Sequence, residues 1–165
     1  MSNTCYSVGV ADISFDDPRL TAVGLLLEAH GGLVARMGEV HAAHGLAGTD
    51  FDTLIRLARS PERRLRMSDL AAQTALSTSG ITRIVDRLER RGLVARQLCS
   101  ADRRSCWTVL TEDGYQVLSA DVPPLLETIQ RWLIDPLSAE QLDGLTTGLR
   151  AVRDAVRPSP VAQVT

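Results

Sequence analysis

The stretch Ser77 to Arg90 reads STSGITRIVDRLER. Ser77, Thr78, Ser79 and Thr82 offer hydroxyls that donate or accept, and Arg83, Arg87 and Arg90 add three planar cations. Ile81, Ile84, Val85 and Leu88 fall at i, i+3, i+4 and i+7, the spacing of a helix with one face turned inward. Such a helix presents the hydroxyls and arginines on its outer side. Two chemistries fit it. One is a solvated surface helix with i, i+4 ion pairs, such as Asp86 with Arg90. The other is a helix lying in the major groove, where its first residues reach base edges. There Ser and Thr pair with either kind of base atom, and Arg83 can bracket guanine O6 and N7. Arg87 and Arg90, further along, are placed for phosphate, and Gly80 lets the helix sit closer to a duplex.

A second cluster follows. Leu93 to Cys99 and Cys106 to Leu110 alternate as short strands around the polar tip SADRRS, which predicts a hairpin. Arg103 and Arg104 at that tip could enter a minor groove, whose negative potential is strongest where it is narrow. Asp102 either orients the tip or serves its turn. Cys99 and Cys106 straddle the tip, and pairing about its midpoint sets them opposite each other. Thiols beside arginines can lose their protons and react with oxidants, so Cys99 and Cys106 are candidate redox residues; the alternative is two small strand residues in a reducing compartment. Trp107 reads as a packing anchor. His41 and His44 could share a metal with Glu39 or a residue of a partner copy, or, with His30, lie on a surface or dimer interface. No nucleophile with a matched base, phosphate-binding glycine loop or spaced acid pair is found, so neither an enzyme, a cofactor nor an assigned metal is expected.

These residues need elements to hold them. Asp17-Pro18 opens a long helix, Arg19 to about His44, which stops at Gly45 and which Gly31-Gly32 should weaken or bend. Thr49 or Asp50 caps a second helix that exits at Pro61. Ser68 caps a short third, Asp69 to Thr74. Ala75-Leu76-Ser77 then turns tightly into the arginine-rich helix, which Gly92 ends. After the hairpin, Thr111 with Glu112 and Asp113 starts another helix. Pro123-Pro124 should kink or break it, since two amide donors are missing. Ser138-Ala139-Glu140-Gln141 has the capping-box pattern, and the last helix runs to about Val156.

Composition agrees with a helical protein that meets phosphate. Of 165 residues only 4% are aromatic, so the core is built from Leu, Val, Ala and Ile. All 18 basic residues are Arg, and the net charge is −2. The charge is segregated: residues 56–104 hold 12 Arg against 5 acids, while the rest of the chain holds 6 against 15. Segregation of this kind makes a local field that attracts phosphate on an otherwise acidic molecule. No apolar run approaches the ~20 residues of a membrane span, and no secretory signal is read, so a cytoplasmic location without a membrane partner is expected.

MSDLAAQTALSTSGITRIVDRLERRGLV followed by SADRRSCWTVLTEDG resembles the MarR family of bacterial transcription regulators, over about residues 18 to 156. The specific part is Asp102-Arg103-Arg104 leading into WTVLTEDG, combined with the TRIVDRLERRGLV helix. The resemblance implies a two-fold homodimer formed through the terminal helices and binding of pseudo-palindromic double-stranded DNA. It also implies release by a small aromatic effector or by cysteine oxidation. In the family's D-x-R pattern the second arginine enters the minor groove, which here is Arg104. Peroxide-sensing relatives carry a cysteine near the start of the first helix; from Arg19 to His44 this chain has none. Zinc-responding relatives draw histidines from the helix after the wing, which also lacks them.

The expectation is therefore a mainly α protein: a winged helix-turn-helix with a two-stranded wing and a helical dimerisation lobe. Residues 1–17 form an arm, 18–48 a dimerisation helix, 49–111 the DNA-binding module, 112–156 the C-terminal dimerisation helices and 157–165 a tail. Its expected function is that of a dimeric DNA-binding transcriptional repressor; the alternatives are a redox- or metal-responsive sensor of the same fold, or a winged-helix protein-interaction module without DNA binding.

Overall fold

The computed structural model describes residues 15–98 and 106–156. Cys99, Asp102, Arg103 and Arg104 lie outside the described residues. Six helices and three strands follow in the order α1 (Pro18–Ala43), α2 (Gly48–Ala58), β1 (Arg64–Arg66), α3 (Met67–Thr74), α4 (Thr78–Arg90), β2 (Val94–Leu98), β3 (Cys106–Leu110), α5 (Glu112–Ile129) and α6 (Ala139–Val156). The chain divides after Gly32 into two compact units.

In the first unit, Asp17 precedes Pro18 at the start of α1, and its carboxylate accepts from the Arg19 amide at 2.8 Å. Leu20, Val23, Leu25, Leu26 and Leu27 are all exposed in the single chain. Gly31 and Gly32 lie within α1 rather than at an end. By length and composition α1 is apolar enough to cross a membrane, a feature hidden from a search for an uninterrupted apolar run because Glu28 and His30 interrupt it.

The second unit holds the core. Leu54 and Leu57 of α2, Leu70 of α3, and Ile81, Val85 and Leu88 of α4 are wholly buried, with Val94, Leu110 and Leu118 packed on the same cluster. Burial of each large side chain contributes about 1.5–3 kcal/mol. The short turn from α3 to α4 works because Ala75 adopts the left-handed conformation, φ 57°, at the α3 C-terminus. Ser77 then caps α4, its Oγ accepting from Gly80 N at 3.1 Å. Gly45, at φ 68°, closes α1 as its position suggests.

Several elements differ from expectation. Helix α2 begins at Gly48, so Thr49 and Asp50 lie inside its first turn; Asp50 reaches back to accept from Ala47 N at 3.1 Å. Helix α3 begins at Met67, with Arg66 in the cap position and Ser68 inside. The wing is a three-stranded sheet, ordered β1-β3-β2, because Arg64, Leu65 and Arg66 pair antiparallel with Val109, Thr108 and Trp107. A strand of three residues has too little alternation to be read. Cys106 stands opposite Leu98; its expected partner Cys99 lies outside the described residues.

Helix α5 continues through Pro123 and Pro124. The prolines remove the donors to the carbonyls of residues 119 and 120, but Ser119 and Ala120 are exposed, where water can replace them. Leu118, Asp121 and Leu125 are buried on either side and hold the helix in register. One wide turn, Gln130–Ile134, follows. Helix α6 starts as expected: Gln141 N donates to Ser138 Oγ at 3.2 Å, and Ser138 N donates to Gln141 Oε1 at 2.9 Å.

Candidate nucleic-acid interface

Helix α4 is divided lengthwise by charge. Its buried stripe is Ile81, Ile84, Val85 and Leu88. Opposite it, Ser79, Arg83 and Arg90 are exposed at i, i+4 and i+11, with Thr78 and Ser77 exposed at the helix start. Thr82 is half-buried and its hydroxyl donates to Thr78 O at 2.7 Å, leaving its oxygen lone pairs outward. Ser77 is engaged as the cap and lies 3.1 Å from Ser79 Oγ.

The two flanks are neutralised from outside the helix. On one, Arg96 of β2 donates to both Asp86 and Glu89 through its guanidinium, and its amide donates to Glu89 Oε1 at 3.1 Å. Burial alone would lower the Arg96 pKa, but the Asp86 and Glu89 carboxylates outweigh it and hold it above the ordinary arginine value. On the other flank, Arg87 Nε donates to Asp50 Oδ1 at 3.1 Å, and Arg91 Nη1 lies 3.7 Å from Asp50 Oδ2. The Asp86–Arg90 ion pair that a solvated surface helix would make does not form. Arg90 Nε donates instead to the Asp86 carbonyl at 3.2 Å, and among the described residues neither Arg83 nor Arg90 is paired with a carboxylate. Of the three helix arginines singled out in the sequence, Arg83 and Arg90 thus face solvent together, while Arg87 turns to α2.

The wing sheet adds an aromatic platform. Arg64 and Arg66 of β1 both stack on the Trp107 ring, at 4.9 and 5.2 Å from its centroid. Cation–π contacts of this kind fix the indole as a packing anchor on the sheet. At the base of the hairpin, Thr111 Oγ1 donates to Gly92 O at 2.7 Å and accepts from Gly114 N at 3.0 Å, so one hydroxyl joins the end of α4 to the start of α5.

His41, expected on a surface or a dimer interface, is buried within the single chain. Its Nδ1 lies 2.8 Å from Asp121 Oδ2 of α5, and its ring stacks on Phe51 at 4.4 Å. His44 Nδ1 is 3.3 Å from Asp121 Oδ1. The histidines therefore share a carboxylate of α5 rather than Glu39, and among the described residues no group of three metal-ligating side chains assembles.

Sequence reading missed Asp50, Arg91 and Arg96. Asp50 lies 37 residues before Arg87, and nothing local links them. Arg96 did carry a signal: it follows buried Val94 by two residues in a strand, which sets it on the side of α4.

A short helix, a tight turn, a second helix with an exposed cationic stripe and an antiparallel wing define a winged helix-turn-helix DNA-binding protein. Comparisons give its family. Residues 44–105 match the family model described as MarR family. The chain is 30% identical over 109 residues to the HTH-type transcriptional regulator MhqR of Bacillus subtilis, covering 66% of this chain and 73% of that protein. It is 28% identical over 152 residues to the transcriptional repressor MprA of Escherichia coli K12, covering 91% and 85%. The crystal structure of Sco3205, a MarR family transcriptional regulator from Streptomyces coelicolor in complex with DNA, superposes with a TM-score of 0.83 at 28% identity, covering 91% of this chain and 94% of that one. The protein belongs to the MarR family of transcription regulators.

Proposed function

We propose that the protein is a homodimeric repressor that binds a pseudo-palindromic operator and releases it when a small aromatic effector changes the dimer geometry. The observation that carries this reading is the outward stripe of α4, where Arg83 and Arg90 have no carboxylate partner among the described residues while both acidic residues of the helix are held by Arg96. Thr78, Ser79 and Arg83 at the front of the helix read base edges in the major groove, and Arg90 meets phosphate. Arg103 and Arg104 extend the contact into the flanking minor groove, with Asp102 orienting the tip. Similarity to MprA supports repression, and similarity to Sco3205 supports duplex DNA as the partner. Work on DNA makes the cytoplasm its site of action.

Dimerisation is supported by uncovered apolar side chains. Leu145, Leu149, Val152 and Val156 are exposed along one face of α6, and α1 exposes leucines of its own. A second copy would cover them, and two-fold pairing sets the half-sites about one helical turn apart, ~10 bp. An effector acts only through different affinity for the two geometries of the dimer.

Duplexes selected from a random library, followed by affinity measurements across a salt series, test the reading. Affinity should fall steeply with salt as counterions are released. Arg83→Ala should lose ~1–3 kcal/mol on the selected site and discriminate less between bases. Failure to enrich any sequence, or an affinity indifferent to salt, would refute it.

A further inference from the structure

We propose that Asp50 is a positioning residue that sets the protein's general affinity for DNA: it withholds Arg87, and with it part of the recognition helix's charge, from the DNA phosphates. The inference rests on the reading that α4 faces DNA. Helix α4 and its C-cap carry four arginines, Arg83, Arg87, Arg90 and Arg91. Asp50 takes two of them out of the outward field. Its side chain is only 3% exposed, so it is a buried anion that must be paired. Oδ1 accepts from both Nε and Nη2 of Arg87, Oδ2 accepts from Ala47 N at 3.1 Å, and Arg91 stands 3.7 Å from Oδ2. Thr49 Oγ1 lies 3.5 Å from Arg87 Nη2 and completes the holding site.

Arg87 nevertheless keeps 41% of its side chain exposed. It sits beside the outward stripe and could swing to a phosphate if Asp50 let it go. Phosphate contacts strengthen binding to every sequence alike and carry no base information. An anion that removes such a contact lowers affinity for operator and bulk DNA by a similar factor and makes both less dependent on salt. Asp50 thereby performs two tasks with its two oxygens. One caps α2, and the other sets how much cation the neighbouring helix displays.

Asp50→Asn separates the tasks. The amide oxygen still accepts from Ala47 N, but the charge that holds Arg87 is gone. On mixed-sequence duplex the variant should show a salt slope steeper by about one, and bind about fivefold more tightly near physiological salt. Operator affinity should rise by a similar factor. Asp50→Asn combined with Arg87→Gln should return the slope to that of the parent, which a merely structural role for Asp50 would not do. Arg87→Gln alone, which keeps a donor for Asp50, should leave the slope unaltered, and it decides the question if Asp50→Asn does not fold. A parental slope in Asp50→Asn, or a loss of about one unit in Arg87→Gln, overturns the proposal while the DNA-binding reading stands. A parent indifferent to salt on any duplex removes both.

Discussion

Single residues decide where two elements can meet. Gly114 lies in the first turn of α5, where an added Cβ would stand 2.0 Å from the Leu93 carbonyl oxygen and 2.8 Å from Leu110 Cδ1. The carbonyl belongs to backbone and cannot swing away. Gly114→Ala should cost about 3 kcal/mol through overpacking, more than the ~1 kcal/mol that alanine gains over glycine in a helix. The expected outcome is a melting temperature lower by roughly 5–10 °C, read by calorimetry; an unchanged or higher value would mean that the close approach relaxes freely. The sequence showed Thr111 as the start of a helix because its hydroxyl at the cap is a local signal. It did not reveal Gly114, since the atom that forbids a side chain there is 21 positions earlier. The same distinction separates Arg83, whose exposure follows from helical period, from Arg87, whose direction is set by a carboxylate on another helix.

At the level of elements, β2 is tied to α4 by Arg96. Arg96→Gln would leave Asp86 and Glu89 uncompensated beside the outward stripe, where they repel phosphate. Because these side chains are partly exposed, the stability loss should be ~1 kcal/mol or less, whereas DNA affinity should fall about tenfold, or ~1.4 kcal/mol. Equal affinity in variant and parent would show that the pair has no part in binding. The arginine side of the tie is constant across neutral pH. Its pKa is raised in the folded chain, so its contribution is full below the unfolded arginine value and is lost only as pH climbs beyond the raised one. Helices α4 and α5 and the hairpin were legible because each shows a period or a cap. Strand β1 was not, being three residues long. The diproline was expected to kink or break the helix; the break does not occur, because buried Leu118 and Leu125 on either side hold the chain helical.

For the whole molecule, the exposed ridge of α6 is the apolar surface that the proposed dimer would cover. Leu149, 45% exposed, lies mid-ridge. Leu149→Asp should convert the dimer to single chains in sedimentation equilibrium and weaken operator binding at least a hundredfold, since the second half-site no longer adds to the first. A dimer that persists with full affinity would move the interface elsewhere. The amphipathic pattern of the terminal helices was readable as a demand for a partner, though the sequence could not show which side chains stay bare, because that depends on what the rest of the chain covers.

Trp107 clasped by Arg64 and Arg66, and Trp132 flanked by Arg36 and Arg131, are the chain's two indoles. One sits on the wing sheet and the other on the wide turn after α5. The protein therefore carries two intrinsic fluorophores in separate surroundings, and silencing either by Trp→Phe leaves emission that reports on the other region alone, without any attached dye.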